Sequence, residues 1–481
     1  MSPPVDAVGE RPLCVDLDGT LLRIDTLHER LLALLLHQPW EAWRLPFWLL
    51  KGKAHFKCQL ARRTHLAFAT LPVSEEFLQF LRAEHAHGRK LILVTGSDAE
   101  TARRIAERFP IFSEVLATEG EINLIGSRKQ ARLVEKFGVK GFDYAGNSGV
   151  DVPIWRAAKE CIIVNAGAGL QGHVRREAES IRVFGGRTEW FGLLRRVLRV
   201  HQWPKNVLLL VPVITGHKLG EPLVLKQIAL GIVAFCLCAS SVYILNDLHD
   251  LEADRLHRTK RNRPFAAGEI SVAAGLMLAP LLLVLAFLSS LWLPQPFLAY
   301  LGTYCVGAAL YSWWLKRVVM LDVLLLAGLY TLRILAGHGA TGIAYSSWLL
   351  GFSLFSFLSL ALLKRYIELH RLDPAQGGDV AGRGYRAEDL RVVPSMGLAS
   401  GYVGALVLAL YINSREVMEL YTRPLLLLFI CPLLLYWISR AWLLATRDQL
   451  DDDPVLFALR DKTSYLVGAM AALFIWLATV R

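Results

Sequence analysis

The sequence predicts an α/β soluble domain of the Rossmann type over residues 1–186. An all-α polytopic membrane domain with about nine transmembrane helices should follow over residues 203–481, with an interfacial linker at 187–202. Of the 481 residues, 54% are hydrophobic and only 20% are charged, which is more apolar surface than one water-soluble core can bury. Short β-rich runs alternate with polar helical stretches up to about residue 185, and long apolar segments dominate from about Trp190.

The composition excludes several classes of protein. With 37 glycines, 20 prolines and 7 cysteines, the chain is neither collagenous, nor disordered, nor a disulfide scaffold. The net charge of +11 favours anionic lipid headgroups and a phosphorylated substrate as partners over nucleic acid, because the chain is so apolar. No basic region followed by an apolar run opens the sequence, so we expect the first domain to remain in the cytoplasm, at a bacterial inner membrane.

Four short apolar runs in the first domain have the length and flanks of buried parallel strands. They are Leu13–Leu17, Lys90–Val94, Phe142–Ala145 and Cys161–Val164. Each is bounded by turn-forming or polar residues, and helical stretches separate them. The pattern predicts a parallel sheet whose carboxyl edge carries the active site.

Two acids, Asp16 and Asp18, follow the first predicted strand. Their spacing places both carboxylates on one face, where Asp16 could attack a phosphorus atom while Asp18 exchanges a proton with the leaving oxygen. Mg²⁺ is the expected cofactor, because a cation must screen the approach of one anion to another. An ordinary Asp-Gly turn is the alternative interpretation.

Three further pieces follow later runs: Thr95, Lys129, and the segment 146–151 with Asn147 and Asp151. A hydroxyl, an ammonium group and an amide–acid pair can bind a phosphoryl oxygen, balance its charge and hold Mg²⁺. In this order the motifs resemble those of the haloacid dehalogenase-like (HAD) phosphatases, and the polar helical insert at about 26–71 resembles the helical cap of that family.

The HAD resemblance implies that Asp16, Asp18, Asn147 and Asp151 hold Mg²⁺, with Thr95 and Lys129 as catalytic residues. Most members have an aspartate where this chain has Asn147, so weaker metal binding and weakened or lost activity are expected. Lys136 and Lys140 are alternatives to Lys129 for the lysine role.

Nine apolar segments of the second domain approach the ~20 residues needed to cross a bilayer. They lie at about 203–216, 223–245, 270–293, 296–315, 318–336, 346–363, 393–412, 424–445 and 464–480. Lysine and arginine concentrate in the loops after the even-numbered segments, which predicts that these loops are cytoplasmic. The first segment is short, and the basic stretch at 190–200 before it suits a helix at the headgroups.

An acid-rich motif follows the second segment and consists of Asn246, Asp247, Asp250 and Asp254. If the helix continues, Asn246, Asp250 and Asp254 share one face. Such a row of carboxylates repels itself unless a metal bridges it, and Mg²⁺ prefers carboxylates together with substrate phosphates. The motif predicts a diphosphate–Mg²⁺ site, with Asp250 and Asp254 as catalytic residues; a solvated helix end is the alternative.

Cations follow the acid-rich motif directly: Arg255, Arg258, Lys260 and Arg263. They can bind phosphate oxygens that the metal leaves uncovered, although the positive-inside rule alone would account for some of them. The stretch NDLHDLEADRLHRTKRNRP, with nine crossings, resembles the UbiA superfamily of intramembrane prenyltransferases over about residues 195–481.

Aromatic prenyltransferases of that superfamily carry a second acidic motif, and this chain has cations in the corresponding place. The replacing stretches contain Lys364, Arg365, Arg383 and Tyr385, and further polar residues occur at or near membrane depth: Lys205, Asn206, Lys316, Asp322 and Arg333. Together they resemble the superfamily branch that makes decaprenyl-phosphate phosphoribose. For Asp322 and Arg333 a mutual ion pair is the alternative to a role in substrate binding.

The resemblance implies a reaction between phosphoribosyl diphosphate (PRPP) and a polyprenyl phosphate. The diphosphate would lie on Mg²⁺, and the 5-phosphate would lie among cations such as Lys364, Arg365 and Arg383. The lipid phosphate would attack C1 as diphosphate leaves. The HAD-like domain could then remove the 5-phosphate, which gives a possible arabinofuranose precursor for the cell envelope.

Two alternatives remain open. One is a prenyl-diphosphate-dependent transferase that acts on a small acceptor. The other is a lipid-binding or transport protein with a degenerate regulatory HAD domain. Asn147, where most members have an aspartate, is compatible with this alternative, whereas the presence of both Asp16 and Asp18 argues against it. Polyprenol length and oligomeric state are not encoded in any of these patterns.

Overall fold

The computed structural model describes residues 11–118, 123–186, 189–371, 384–450, 454–458 and 460–480. It divides into two compact units. The first contains the described residues up to Leu198 together with Asp247–Leu278, and the second contains Arg199–Asn246 and the described residues from Ala279 onward. The predicted fold class, a parallel α/β domain and a helical membrane domain, is confirmed.

A six-stranded parallel sheet forms the centre of the first unit. Its strands are β1 (Leu13–Val15), β2 (Leu91–Asp98), β3 (Glu114–Thr118), β4 (Asp143–Gly146), β5 (Glu160–Val164) and β6 (Ser180–Phe184), and their order is β3-β2-β1-β4-β5-β6. The central strand β1 pairs Cys14 with Ile92 of β2 and with Tyr144 of β4. The order reverses at β1, which is where open α/β sheets bind their ligands.

Four of these strands are those that the sequence predicts, and β3 and β6 are additional. Both lie at the sheet edges, and their residues are mostly half-buried or exposed, so they lack the continuous apolar run that indicates a buried strand. An apolar core lies on each face of the sheet, one around Leu17, Phe77 and Leu93, the other around Ile92, Trp155 and Ile163.

Helices cover the sheet and build the insert after β1. The α-helices of the first unit lie at Thr26–His37, Leu45–Leu50, Lys53–Arg63, Glu75–Ala86, Ala99–Arg108, Ser127–Phe137, Val152–Ala157, Ala168–Arg175, Trp190–Val197 and Leu251–Leu256, with 3-10 turns at Pro39–Arg44, Phe68–Thr70, Gly149–Asp151 and Lys260–Asn262. The insert has its own small core of Leu34, Trp48 and Leu60.

The second unit is helical. Its elements, two of which begin or end in the first unit, are α-helices Val211–Thr215, Pro222–His249, Val272–Ser290, Gln295–Trp313, Leu321–Thr341, Ser347–His370, Val393–Ile412, Arg415–Leu420, Ile430–Thr446, Pro454–Ala458 and Lys462–Thr479, with 3-10 segments Val200–Leu210, Leu315–Arg317, Ala387–Arg391 and Pro424–Phe429. Seven helices of the described residues are long and apolar enough to span a membrane. The chain is therefore a multi-pass membrane protein.

The predicted count of nine crossings is not confirmed. The predicted crossing at 203–216 is a 3-10 segment followed by a five-residue helix, with Pro204 and Pro212 inside, because proline removes the backbone donors that a continuous helix needs. The predicted crossing at 296–315 is a 19-residue helix, Gln295–Trp313. It contains tyrosine, threonine and glycine and is not among the seven apolar helices.

The segment Asp247–Leu278 belongs to the first unit, although the predicted linear division places it in the membrane domain. One contact that explains this is at Gly268. Its backbone approaches Arg23 and Ile24 so closely that a Cβ there would lie 2.9 Å from the Cβ of Arg23. Gly268 also has a φ of +68°, a conformation that favours glycine. The acid-rich motif after Asn246 therefore folds with the soluble domain.

Candidate active sites

The first site lies at the carboxyl end of β1. The backbone N–H of Asp16 still donates to Ala145 on β4, and the chain then turns at Gly19, whose φ is +74°. A Cβ on Gly19 would lie 1.9 Å from Nδ2 of Asn147. Glycine is therefore required there, both by the backbone angle and by the amide that lies against it. This contact places Asn147 next to Gly19, the residue that follows Asp18.

Lys129 holds Asp16. Its Nζ donates to Oδ1 of Asp16 at 2.7 Å and to the Tyr144 hydroxyl at 3.1 Å, and its side chain is buried. Of the alternatives for the lysine role, Lys136 pairs with Glu114 and Lys140 donates to the carbonyl of Ala158. Only Lys129 of the three is placed on Asp16 by these contacts.

Asp18 has a separate set of donors. The Thr26 backbone N–H donates to Oδ1 at 2.8 Å, and the Ser97 hydroxyl donates to Oδ2 at 2.5 Å. Thr95 is fully buried within β2, and its hydroxyl accepts the N–H of Ser97 on the same strand at 3.0 Å. Thr95 therefore helps to position Ser97, a residue that the sequence analysis did not single out.

Burial dominates the electrostatics of both acids. It raises the pKa of Asp16 to about 7, with the charge of Asp151 adding to the rise and Lys129 opposing it. It also raises the pKa of Asp18, helped by the charge of Asp25 and opposed by the hydrogen bonds from Ser97 and Thr26. A raised pKa favours the protonated form of Asp18 that can supply a proton.

Asp151 is already occupied by protein donors. Its Oδ2 accepts from the backbone N–H groups of Asn147 and Ser148 and from the Ser148 hydroxyl, and its Oδ1 accepts from the Tyr144 hydroxyl at 2.9 Å. These bonds favour a role in ordering the 146–151 turn over the predicted role as a metal ligand.

Lys57, on the insert helix Lys53–Arg63, is a second residue that sequence reasoning missed. Its Nζ donates to the carbonyl of Gly96 at 2.7 Å, and burial lowers its pKa, against the attraction of Asp18 and Asp25. The insert thereby adds a cation beside the carboxyl edge of the sheet. Lys57 is one of several basic residues in a polar helix, so no sequence pattern distinguishes it from its neighbours.

The donors at this edge fit Mg²⁺. Asp16, Asp18 and Asn147 supply hard oxygen atoms, and the Asn147 amide lies against Gly19, the residue that follows Asp18. Among the described residues no group of three or more acidic, histidine or cysteine side chains is placed to hold a metal ion. Asp16 and Asn147 would hold the ion, and it would screen the phosphoryl group from the acids.

The second site is the acid-rich motif. The helix Pro222–His249 ends before Asp250, and a new helix begins at Leu251, so the continuous helix assumed for Asn246, Asp250 and Asp254 is wrong. At Asp250 the backbone has φ −90° and ψ 12°, outside the regular helical range. The break turns the following acids relative to the long helix.

Arg263 joins two of the acids. Its Nη1 donates to Oδ1 of Asp247 at 3.1 Å and to Oδ2 of Asp254 at 2.6 Å, and both carboxylates are buried. Burial raises the pKa of Asp254, while Arg263 opposes the rise. Arg263 already neutralises part of the charge on these two carboxylates. The Mg²⁺ site of Asn246, Asp247, Asp250 and Asp254, with Lys260 beside it, stays a prediction.

Arg255 forms a two-pronged ion pair with Glu29 of the insert helix Thr26–His37. Its Nη1 and Nη2 lie 3.0 and 2.8 Å from the two oxygens of Glu29, and the two side chains are only 3% and 4% exposed. Both terminal nitrogens of Arg255 donate to Glu29, so these contacts favour a structural role over the predicted role in phosphate binding. The pair fastens the acid-rich segment to the insert.

In the second unit, Arg333 lies at the centre of a buried polar cluster. It donates to Oδ1 of Asn206 at 3.0 Å, to the Tyr304 hydroxyl at 3.0 Å and to the carbonyl of Leu329 at 2.7 Å. Lys205 lies over the Tyr330 ring at 5.8 Å. The structure thus brings the predicted residues Lys205, Asn206 and Arg333 to one region.

Asp322 belongs to a different cluster, so the alternative of an Asp322–Arg333 ion pair is wrong. Asp322 lies 2.9 Å from Nε of the fully buried Arg365 and accepts the Tyr385 hydroxyl at 2.7 Å. Arg365 also pairs with Glu368, and its Nη2 has no hydrogen-bond partner among the described residues. Lys364 is on the same helix, Lys316 lies in the turn before Asp322, and Arg383 lies outside the described residues.

A cavity of about 430 Å³ lies among the helices Gln295–Trp313, Leu321–Thr341 and Ser347–His370. Apolar and small residues line it, among them Gly307, Leu329, Leu332 and Leu354. Its lining suits hydrocarbon rather than a sugar phosphate.

Comparison with known proteins gives a matching family for each of the two parts of the chain. The model of the UbiA prenyltransferase family matches residues 209–478, and that of the haloacid dehalogenase-like hydrolases matches residues 13–153. Protein y4nM of Sinorhizobium fredii is 37% identical over 96% of this chain and 90% of its own length. Nodulation protein NoeC of Azorhizobium caulinodans is 34% identical over 55% of this chain and 86% of its own.

Decaprenyl-phosphate phosphoribosyltransferase of Mycolicibacterium smegmatis is 36% identical over 182 residues. This match covers 37% of the chain and 57% of that enzyme.

Proposed function

The chain belongs to the UbiA prenyltransferase family and carries an N-terminal HAD-like domain, and from this premise we propose a two-step activity on a lipid phosphate. The membrane half transfers 5-phosphoribose from PRPP to a polyprenyl phosphate, and diphosphate is released. The HAD-like domain then removes the 5-phosphate. The observation that carries the proposal is the 36% identity to an enzyme named for the first reaction.

The transfer step needs no protein nucleophile. A phosphate oxygen of the lipid forms a bond with C1 of ribose while the bond from C1 to the diphosphate oxygen breaks, through a transition state with oxocarbenium character. The acids Asp247, Asp250 and Asp254 would hold Mg²⁺, which neutralises the leaving diphosphate when bound. The chain's own task is to hold two anionic substrates together against their repulsion.

Contacts in the second unit support binding of the lipid and of a further phosphate. Arg333 carries positive charge, and its contacts described above are to neutral groups, so its charge suits an anionic headgroup. The apolar cavity beside Leu329 suits part of a polyprenyl chain. The unpaired Nη2 of Arg365 supports the prediction that cations near residue 365 bind the 5-phosphate.

The phosphatase step uses Asp16 and Asp18. An oxygen of Asp16 forms a bond to phosphorus while the bond from phosphorus to the ribose 5-oxygen breaks, and Asp18 gives its proton to that oxygen. Water then attacks the phosphoaspartate, Asp18 takes the proton back, and phosphate leaves. Lys129 balances the charge on Asp16, and Lys57 supplies a further cation for the phosphoryl group.

A prenyl-diphosphate-dependent transferase that acts on a small acceptor is the second candidate, and the name of the matching family favours it. It shares the diphosphate leaving group and therefore the acid-rich motif. It differs in consuming a prenyl diphosphate and in being indifferent to PRPP.

A lipid-product assay tests the proposal. We propose that the chain lies in a bacterial inner membrane with its first domain in the cytoplasm. For the assay, the full chain in nanodiscs is incubated with Mg²⁺, PRPP and decaprenyl phosphate, and the lipids are identified by mass spectrometry. We expect a phosphoribosyl lipid first and a ribosyl lipid later. In a parallel incubation to which geranylgeranyl diphosphate is added, consumption of that compound with PRPP untouched would contradict the transfer step. A phosphoribosyl lipid that persists would contradict the phosphatase step alone.

A further inference from the structure

An apolar surface covers one side of the helical insert. Five large side chains within residues 40–50 are exposed: Trp40 (66%), Trp43 (64%), Phe47 (58%), Leu49 (54%) and Leu50 (85%). We call these five residues the aromatic face. Such a contiguous patch on a soluble domain marks a surface that contacts another apolar body.

The aromatic face is held in place by the fold of the insert. Its residues lie on the 3-10 turn Pro39–Arg44 and on the helix Leu45–Leu50 that follows directly. Trp48 of the same helix points inward to Leu34 and Leu60, which fixes the opposite side outward. Trp43 and Phe47 meet edge to face, with ring centres 6.0 Å apart. The exposure therefore comes from an ordered segment.

The rest of the sheet domain lacks such a surface. Between residues 11 and 186, the other exposed large hydrophobic side chains in the described chain are Ile125, Val139 and Val150, which belong to different elements or loops. Scattered single residues of this kind are normal on a protein surface. The aromatic face is thus a local feature of the insert.

Charge and composition indicate the partner. The insert at 26–71 contains seven lysine or arginine residues and two glutamates. Arg44 pairs with Glu41, and the exposed Lys51 and Lys53 follow the aromatic face directly. Tryptophan and phenylalanine with basic neighbours are typical of segments that lie in the headgroup region of anionic bilayers. A protein partner would not require this excess of positive charge.

A second element of the first unit has the same character. On the helix Trp190–Val197, Trp190 and Phe191 are 73% and 77% exposed, and Arg195 and Arg196 follow. The chain then continues into its membrane-spanning half. The same chain that carries the aromatic face therefore also spans a bilayer.

We propose that the aromatic face of the insert lies in the interfacial region of the bilayer that the chain itself spans. Trp40, Trp43, Phe47, Leu49 and Leu50 enter the boundary between headgroups and acyl chains, and the flanking cations contact lipid phosphates. The insert also carries Lys57, so its membrane contact holds the insert side of the Asp16/Asp18 site at the lipid surface. This inference does not depend on the proposed function, because it requires no turnover.

Photo-crosslinking in the full chain tests the proposal. We replace Trp43 and, separately, Phe47 by p-benzoylphenylalanine, incorporate each variant into nanodiscs that contain phosphatidylglycerol, and irradiate. The control is the same replacement at Val139, which is 68% exposed and outside the insert. Unchanged melting temperatures verify that the variants fold, as expected for exposed positions.

The expected result is lipid attached covalently at positions 43 and 47, with a yield at least tenfold that at position 139. Equal yields at the three positions would overturn the proposal. Covalent dimers of the chain in place of lipid adducts would also overturn it, because the face would then be an interface between copies.

Discussion

The two acid clusters of the first unit are built in different ways. At the sheet edge, Asp16 and Asp18 each have their own donors, Lys129 for one and Ser97 with Thr26 for the other. In the segment Asp247–Leu278, one guanidinium, that of Arg263, serves both Asp247 and Asp254. The first cluster gathers segments distant in sequence, whereas the second is local.

The difference shows which part of each cluster depends on the fold. Parallel strands bring the sheet site together, so its geometry is fixed by the core of the domain. The local cluster depends on Arg263 and on the Arg255–Glu29 ion pair that fastens its segment. We expect the sheet site to tolerate changes around it, and the acid-rich site to be sensitive to single distant residues.

Removing one acid from each cluster should have the largest effect and separate the two sites. Asp16→Asn removes the proposed nucleophile and should lower phosphatase turnover on the order of 10³-fold or more, with transfer unchanged. Asp254→Asn should lower transfer ~100-fold or more, with phosphatase activity unchanged. Transfer is measured by lipid-product mass spectrometry, and phosphatase activity by phosphate release from phosphoribosyl lipid supplied as substrate. Loss of both activities in either variant would contradict two separate sites.

Breaking the ion pair of the acid-rich segment should destabilise the protein strongly. Glu29→Ala leaves the buried Arg255 guanidinium without its partner, which costs about 3–5 kcal/mol. The double variant Glu29→Leu with Arg255→Met should recover much of this loss, because no charge is then buried. Denaturant unfolding followed by tryptophan fluorescence measures both.

The matched control is Glu419→Ala, which removes an ion pair at the surface. The side chain of Glu419 is 68% exposed and that of its partner Arg415 is 91% exposed. It should change stability by less than about 1 kcal/mol. A Glu29→Ala variant as stable as this control would show that the pair does not fasten the segment.

Lys57→Met tests whether the insert contributes to the sheet site. Loss of the cation should raise the KM for a phosphorylated substrate about tenfold, because one charge-assisted hydrogen bond is lost. Lys53→Met, at an exposed position on the same helix, should leave KM unchanged. Steady-state phosphate release gives both constants, and equal KM values for the two variants would exclude Lys57 from substrate binding.

Asn147→Asp should have the smallest effect and would make the sheet site more like that of most HAD phosphatases. A carboxylate in place of the amide binds Mg²⁺ more tightly, so half-maximal phosphatase activity should need several-fold less Mg²⁺. A titration of activity against Mg²⁺ measures this. An unchanged requirement would show that residue 147 does not contact the metal.

Much of the sheet site could be predicted from the sequence, because strand ends are marked by short apolar runs and polar turns. This pattern singled out Asp16, Thr95, Lys129 and Asn147, whose contacts the structure places on or beside β1 and β2, while their roles stay predictions. It missed Ser97 and Lys57, since a serine near a strand end and a lysine in a polar helix have no distinctive spacing. Only the tertiary fold selects them.

The acid-rich motif shows what spacing alone does not determine. A repeat of four predicted a continuous helix, but the chain breaks at Asp250. The sequence also assigned Arg255 to a substrate, whereas its partner Glu29 is 226 residues away. Positive charge near a membrane loop is compatible with lipid, substrate or an internal ion pair, and only packing distinguishes these.

The return of Asp247–Leu278 to the first unit has a practical consequence for dissecting the molecule. A fragment that stops at residue 198 would lack Phe265, Gly268 and Arg255, so Glu29 would lose its ion-pair partner. Such a truncated piece should be poorly soluble, and its behaviour would say little about the catalyst in its native chain. Mutants of the intact protein, not isolated halves, are the suitable material for assigning the two chemistries.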